Sequence, residues 1–484
     1  MGIVFKQSLS NTIVTYIGFV IGAINTLMFY TNFMQASNYG LVQVILSVSA
    51  VLMPILAFGV PNSIVKFYSN FNASKEREGF LTMMLLLPLF LILPIALFGY
   101  LANDVVGSLL SKKNPIVHDY VWHIFLTGMA MAYFEVFYAW ARIQLKSVFG
   151  NFMKEIFCRV GQSILLLLFL FKYISIDVFI NSLVGFYLVR TLIMKIYAYR
   201  LRKPDFTFQL PSNWQQIIKY SALIILGGST AMVLMEVDKV MLNNYLPIEY
   251  VAYYGVAGFI AISIVVPSRA MHQITYPLTA ELLNRRDLPA LKALYQKSSL
   301  TLLIVSGILF LLIVLNLKDL YQMLPEGYNK GFLIVFWIGL AKVYDSILGN
   351  NNSILYNSDY YRSVLFFGVL LALLAIGFNL WLIPAYGING AAIASFSAFF
   401  IYNTLKLYYV KSKFNIQPFT NETAKVMLLL LGIGAIFYFI NFTFHPIVNI
   451  IFKSMLMCIC YLVILYRFRI SEDLHGLISK YLGK

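Results

Sequence analysis

Residues 234–244, LMEVDKVMLNN, place Glu236, Asp238 and Lys239 within four positions of one another in an otherwise apolar stretch. At about 100° per residue, Glu236 and Lys239 share a helical face and are expected to pair, while Asp238 points about 200° away from Glu236 and needs another partner. Four further charges lie deep in apolar runs: Arg159, Arg190, Arg269 and Lys342. Each is roughly seven residues or more from its nearest polar boundary, on the order of 10 Å along a helix. A charge at that depth in hydrocarbon costs at least about 2.5–3.5 kcal/mol, so it faces a partner or a wet cavity.

Guanidinium forks match phosphate oxygens through parallel hydrogen bonds, and such contacts strengthen where water is scarce. The deep bases therefore predict a cationic lumen for an anionic, phosphorylated headgroup. Lys66 and Arg142, at the inner ends of their runs, extend that set to the cytoplasmic mouth. Among the acids, Asp238 and Glu135 are the candidates for ion coupling, binding H+ or Na+ on one side and releasing it on the other. Asp345, three residues after Lys342, is expected as its ion-pair partner. No cofactor beyond a coupling ion is expected. Cys158, Cys458 and Cys460 all fall in apolar runs, and His118, His123, His272, His445 and His475 are scattered, so neither a metal site nor a disulfide is expected.

The elements that must hold these side chains are long and oily. Of 484 residues, 60% are hydrophobic and 12% charged, a balance that excludes an ordinary water-soluble domain. A helix crosses the bilayer with about 20 apolar residues and closes its own backbone hydrogen bonds. Fourteen such runs are expected, near 12–33, 40–60, 80–101, 118–141, 152–172, 177–198, 216–243, 250–275, 298–317, 331–355, 361–383, 387–410, 423–442 and 447–467. The fold class is thus an all-α integral membrane protein, with no cleavable leader expected because the first run is too long for one.

Loop charge gives the orientation, because cationic segments stay on the cytoplasmic side. Of the 36 Lys and Arg, Lys112, Lys113, Lys172, Lys318 and Lys330 fall in outer segments. Nine lie within runs: Arg159, Arg190, Lys195, Lys219, Lys239, Arg269, Lys342, Lys406 and Lys453. All the rest lie in inner segments, which puts both termini in the cytoplasm. Lys195, Lys219, Lys406 and Lys453 are expected to reach an interface with their long stems. The net charge of +16 is a collar for anionic lipid headgroups rather than a nucleic-acid surface.

Residues 200–214, RLRKPDFTFQLPSNW, read as a linker between halves. NYGLVQVILSV at 38–48 echoes YYGVAGFIAIS at 253–263, pairing Gly40 with Gly255, and Gly161 and Gly377 recur at almost the same spacing. Two six-helix lobes, 1–203 and 216–413, are expected around the 204–215 linker, related by an axis along the membrane normal. Two further helices at 414–469 and an amphipathic cytoplasmic tail at 470–484 follow.

The stretches YGLVQVILSVSAVLMPILAFGVPNSIVKFY (39–68), DKVMLNNYLPIEYVAYYGVAGFIAISIVVPSRA (238–270) and IPAYGINGAAIAS (383–395) resemble the Wzx-type flippases. These form the polysaccharide-transport branch of the multidrug/oligosaccharidyl-lipid/polysaccharide (MOP) exporter superfamily, related to MATE exporters and lipid II flippases. The resemblance implies a MATE-like fold of two six-helix bundles plus two helices. It also implies alternating-access transfer of an undecaprenyl-diphosphate-linked oligosaccharide, an O-antigen, capsule or exopolysaccharide repeat unit, to the outer leaflet of a bacterial inner membrane. In that pattern Asp238 matches the Asp of the seventh helix, and Arg159, Arg190, Arg269 and Lys342 belong to the cationic lumen.

Two rivals make different demands. A drug or metabolite:cation antiporter of this fold calls for a predominantly acidic lumen, which the deep bases oppose. A glycan polymerase, ligase or acyltransferase calls for a large outer loop or a His–Asp set, and the longest outer loop is near 102–117. A non-enzymatic, monomeric transporter is the expectation.

Overall fold

The computed structural model describes residues 2–71, 74–227 and 230–470, so the expected tail beyond Ile470 lies outside them. Apolar runs that cannot trade backbone hydrogen bonds with water must close them internally, and the described residues contain helices and no strand. In chain order the principal helices are α1 (Gly2–Ile24), α2 (Ala36–Leu56), α3 (Val60–Phe67), α4 (Ser74–Leu86), α5 (Leu89–Leu101), α6 (Val121–Ile143), α7 (Cys158–Leu170), α8 (Ile176–Leu201) and α9 (Trp214–Gly227). They continue as α10 (Thr230–Tyr245), α11 (Glu249–Ile262), α12 (Val266–Asn284), α13 (Leu288–Val314), α14 (Phe332–Ile347), α15 (Asn351–Tyr356), α16 (Tyr361–Phe414), α17 (Asn421–Phe439) and α18 (Pro446–Arg467).

Ten helical stretches among the described residues are long and apolar enough to cross a membrane, and the chain is a multi-pass membrane protein. Ten differs from the fourteen expected runs for local reasons. The run at 152–172 begins as a π-helical turn, Met153–Phe157, before α7, and α14 is only 16 residues long. Residues between α9 and α10 are not described. One stretch, 362–414, contains two expected runs because α16 continues through a break at Gly387, whose φ of 59° suits a residue without Cβ.

By packing, the chain separates into one unit of Met1–Gly255 with Asn379–Ile388 and a second of Val256–Phe378 with Asn389–Lys484. The expected lobes divide the chain by repeat at 204–215, whereas this partition divides it by contact. The reason is local to the first unit: a Cβ on Gly40 of α2 would lie 2.2 Å from the Ile248 carbonyl oxygen, and one on Gly255 of α11 would lie 3.1 Å from the Gln43 side chain of α2. The two echo glycines thus serve one close helix approach.

The core of the first unit gathers Phe80, Phe134, Trp140, Met194 and Ile217. The 204–215 linker is strapped to that unit. Gly79 brings α4 against the linker, since a Cβ there would lie 2.0 Å from the Gln209 carbonyl oxygen. The Thr207 amide donates to Thr82 at 3.1 Å, and Arg202 pairs with Glu78. In the second unit, Ile304, Val343, Val426, Met457 and Tyr461 form a core across α13, α14, α17 and α18.

Candidate functional site

The first unit collects a dense set of charges on α6, α7 and α8 and on the π turn before α7. A π turn inserts one residue per turn and re-aims the side chains around it. Here it carries Lys154 and Glu155 and leads into Arg159. Lys154 donates to Glu135 Oε1 at 2.6 Å, and Arg159 Nη1 lies 3.2 Å from Glu155 Oε2. Arg142 and Arg190 also act electrostatically on Glu135. Four cations, Arg142, Lys154, Arg159 and Arg190, therefore surround two carboxylates, leaving a net positive centre.

Arg190 is only 6% exposed. Its guanidinium carbon lies 4.1 Å from the centre of the Phe134 ring and 4.7 Å from that of Tyr187, close enough for both rings to hold the cation through cation–π attraction. Its Nε has no hydrogen-bond partner among the described residues, and neither has Arg142 Nε. Unsatisfied guanidinium donors in a low-dielectric site are costly until an acceptor arrives, so the cluster is disposed to take an anion.

Arg159 is fixed from behind. Asn25 donates to the Arg159 carbonyl at 2.8 Å, and Ser163 donates to Asn25 Oδ1 at 2.7 Å. Gly18 of α1 admits the guanidinium, because a Cβ there would lie 2.9 Å from Arg159 Nη1. Asn25 and Gly18 carry no mark in the sequence, and Lys154 reads there as inner-segment charge, because a π turn has no sequence signature. Lys66, at the end of α3, is exposed, with its ammonium 3.9 Å from the Tyr220 ring centre.

The LMEVDKVMLNN stretch lies in α10. Glu236 Oε2 accepts from Lys239 at 2.8 Å and from Ser47 at 2.6 Å, and Lys239 also donates to Gln43 at 3.1 Å. Asp238 turns to another face, 1% exposed, where it accepts from the Tyr254 hydroxyl and from the Asn379 amide at 2.7 Å. Asn379 Oδ1 has no partner among the described residues. A buried carboxylate beside an idle amide oxygen offers oxygen atoms to a small cation.

The second unit spreads its charges out. Arg269 is exposed on α12. Lys342 and Asp345, expected as a pair, each have further neighbours. The Lys342 ammonium stands 4.3 Å from the Phe399 ring centre, while Asp345 acts on His272 and Lys406. Lys406 does not reach an interface as its stem length suggested: it is 1% exposed, donates to Asn352 Oδ1 at 2.8 Å and lies 4.1 Å from the Tyr402 ring centre. The helix runs on to Phe414, two turns beyond it. Lys453 is likewise buried, donating to the Leu315 carbonyl at 3.0 Å, whereas Lys195 and Lys219 are exposed. No group of three metal-ligating side chains occurs among the described residues, and the cysteines are free.

Known proteins share this fold. The structure is similar to the lipid II flippase MurJ in an inward closed conformation, with a TM-score of 0.74 at 14% identity over 95% of this chain and 99% of that one. It is similar to an inward-facing multidrug resistance MATE family transporter of the MOP superfamily (TM-score 0.60, 12% identity, 84% of this chain and 98% of that one). A MOP superfamily transporter from Pyrococcus furiosus, described by the reverse polarity of its binding pocket, also matches (0.56, 13%, 85% and 96%). At these identities the likeness concerns the fold, which is that of MOP transporters. No curated protein sequence matches. Residues 4–283 match the model of a family described as polysaccharide biosynthesis protein, and the chain belongs to that family.

Proposed function

We propose that the protein is a flippase that carries an undecaprenyl-diphosphate-linked oligosaccharide from the cytoplasmic to the outer leaflet by alternating access. The observation that carries this reading is the cluster of Arg142, Lys154, Arg159 and Arg190 around only two carboxylates in the first unit. Its unsatisfied guanidinium donors suit the diphosphate, whose geometry a fork can grip in two parallel bonds. Arg269 and Lys342 supply further positive charge in the second unit, and Lys66 supplies it at the inner mouth. The family and the flippase fold support a lipid-linked substrate, and a net cationic centre disfavours a cationic drug.

A diphosphate bearing about two negative charges gains roughly 2.3 kcal/mol per charge per 100 mV when it leaves an inside-negative cell. The membrane potential thus favours export of the loaded headgroup. Return of the empty carrier is where ion coupling acts, and Asp238 is the residue for H+ or Na+. Glu135, the other candidate, is engaged by Lys154 and serves instead to hold the cations in place. The protein works as a monomer in the bacterial inner membrane with both termini cytoplasmic.

The test is reconstitution in vesicles with a fluorescent prenyl-diphosphate glycan, comparing Arg159→Ala, Arg190→Ala and Arg269→Ala with the parent. Undiminished flipping in all three would remove the phosphate-receptor role.

A further inference from the structure

The second unit contains two adjoining recesses of opposite character, far in sequence from the arginine cluster of the first unit. One is a cleft of about 540 Å³ between α13, α14, α16 and α17, walled by groups such as Leu303, Phe310, Val343, Phe400, Leu430 and Ala435. The other, of about 1040 Å³, is lined by Lys318, Gln322, Glu326, Asn329, Asn441 and Lys453, together with aromatic rings. Tyr438 and Phe439, at the end of α17, line both. The polar recess lies on the side that loop charge assigns to the outer face.

The polar recess has unused hydrogen-bonding capacity. Among the described residues, the side chains of Lys318, Gln322, Glu326, Asn329 and Asn441 make no hydrogen bond or ion pair. The Tyr321 hydroxyl in its wall, on a residue 7% exposed, has no partner either. Three amides that donate and accept, one carboxylate and one ammonium, set among rings, match the hydroxyls and apolar C–H faces of a sugar. The adjoining cleft offers only hydrocarbon contact. A phospholipid would fill the cleft, but its head needs little of a recess at the top of the range of about 300–1,000 Å³ for small-molecule pockets.

We propose that these joined recesses form a station for a lipid-linked saccharide in the outer leaflet, the sugar in the polar recess and the prenyl chain in the cleft. The proposal rests on the flippase reading and adds a site on the product side, where the delivered lipid pauses before an acceptor takes it. Lys453 and Lys318 supply the positive charge for a phosphate, against Glu326.

The experiment uses the full chain in phosphatidylcholine nanodiscs, in both parent and Arg190→Ala backgrounds, so that binding at the arginine cluster is separated from binding here. The probe is a fluorescent undecaprenyl-diphosphate disaccharide, competed with undecaprenyl diphosphate, the free disaccharide, or phosphatidylglycerol. Ala435→Trp, which fills the cleft from an exposed position, is expected to weaken both prenyl ligands about tenfold. Gln322→Ala with Glu326→Ala and Asn329→Ala is expected to weaken the glycosylated probe about tenfold and bare undecaprenyl diphosphate less than about twofold. Leu431→Asn, at another exposed cleft position, guards against misfolding of the tryptophan variant. Equal binding in all variants overturns the proposal, as does displacement of the probe by phosphatidylglycerol as effective as by unlabelled glycolipid. Failure of the flippase reading shows separately, as unchanged flipping in the arginine variants.

Discussion

Deep cations occur in both units, but they are held in different ways. In the first unit, Lys154 and Arg159 contact carboxylates directly, Arg142 and Arg190 act on Glu135 as well, and the Nε atoms of Arg142 and Arg190 have no hydrogen-bond partner among the described residues. In the second, Lys406 bonds a neutral amide and lies against a ring, with Asp345 acting on it only from farther off. A crowded set of like charges repels itself and stays together only because carboxylates lie between its members, so it gains from a polyanion. A single buried ammonium bonded to a neutral group gains its stability from the fold around it. Buried charge alone therefore does not identify a substrate site; charge in excess of its counter-charges does.

The largest expected effect breaks this comparison if it fails. Arg190→Ala removes a buried fork that touches two rings, and transport of the prenyl-diphosphate glycan is expected to fall by about 100-fold, the scale for losing a buried charged hydrogen-bonding partner. Lys406→Met, which replaces a buried cation with an apolar chain of similar length, is expected to reduce transport less than about tenfold and to leave thermal stability unchanged or raised. Flipping assays paired with thermal unfolding of both variants decide it. Equal losses in transport would mean that Lys406 also meets the substrate.

Much of this contrast was legible in the sequence, and the part that was not has a physical cause. Depth within an apolar run follows from counting, so Arg159 and Arg190 stood out at once. The opposite facing of Glu236 and Asp238 follows from helical spacing. Lys406 was misjudged because hydropathy fades near 410 while the helix continues to Phe414; the end of an oily run is not the end of a helix. Lys154 and Gly18 depend on a π turn and on packing between α1 and α7, and Gly79 on a carbonyl 130 positions away. Such contacts are set by tertiary approach, which leaves no local pattern to read. The two recesses of the second unit were invisible for the same reason, since the walls of each come from four or more separate segments.

A second prediction sharpens the contrast within the first unit. If Asp238 serves the coupling ion while Glu135 serves the cations, Asp238→Asn keeps glycan binding within about twofold but makes transport indifferent to an imposed H+ or Na+ gradient. Glu135→Gln does the reverse, disturbing Lys154 and both flanking arginines and so weakening substrate binding. Binding and gradient-driven flux measured on each variant separate the roles; loss of gradient response in Glu135→Gln alone would exchange them.

Gly18 tests whether the position of Arg159, and not merely its charge, matters. A valine there places methyl groups against the Glu155 carbonyl oxygen, already 2.7 Å from a Cβ, and against Arg159 Nη1, so α1 or the guanidinium must shift. Affinity for the diphosphate is expected to fall by about tenfold while the charge count stays constant. Ser163→Ala, which removes one of the bonds behind Arg159 without crowding it, should give a smaller change in the same direction. Unaltered affinity in Gly18→Val would show that the cluster acts as diffuse charge.

The smallest effect belongs to Glu236 and Lys239 of α10. Their 2.8 Å contact is between side chains 28% and 16% exposed, and Ser47 and Gln43 already share the bonding. Replacing both, as Glu236→Gln with Lys239→Met, removes the ion pair without stranding either charge, so the cost is that of a solvated pair, under about 1 kcal/mol. Unfolding temperature is expected to move by no more than about 2 °C, with flipping unchanged. Lys239→Met alone leaves Glu236 with only Ser47 and is expected to cost more than the double change. If the double variant instead loses transport, the pair contributes to the charge that meets the substrate, and the distinction between excess and compensated charge would have to be drawn elsewhere.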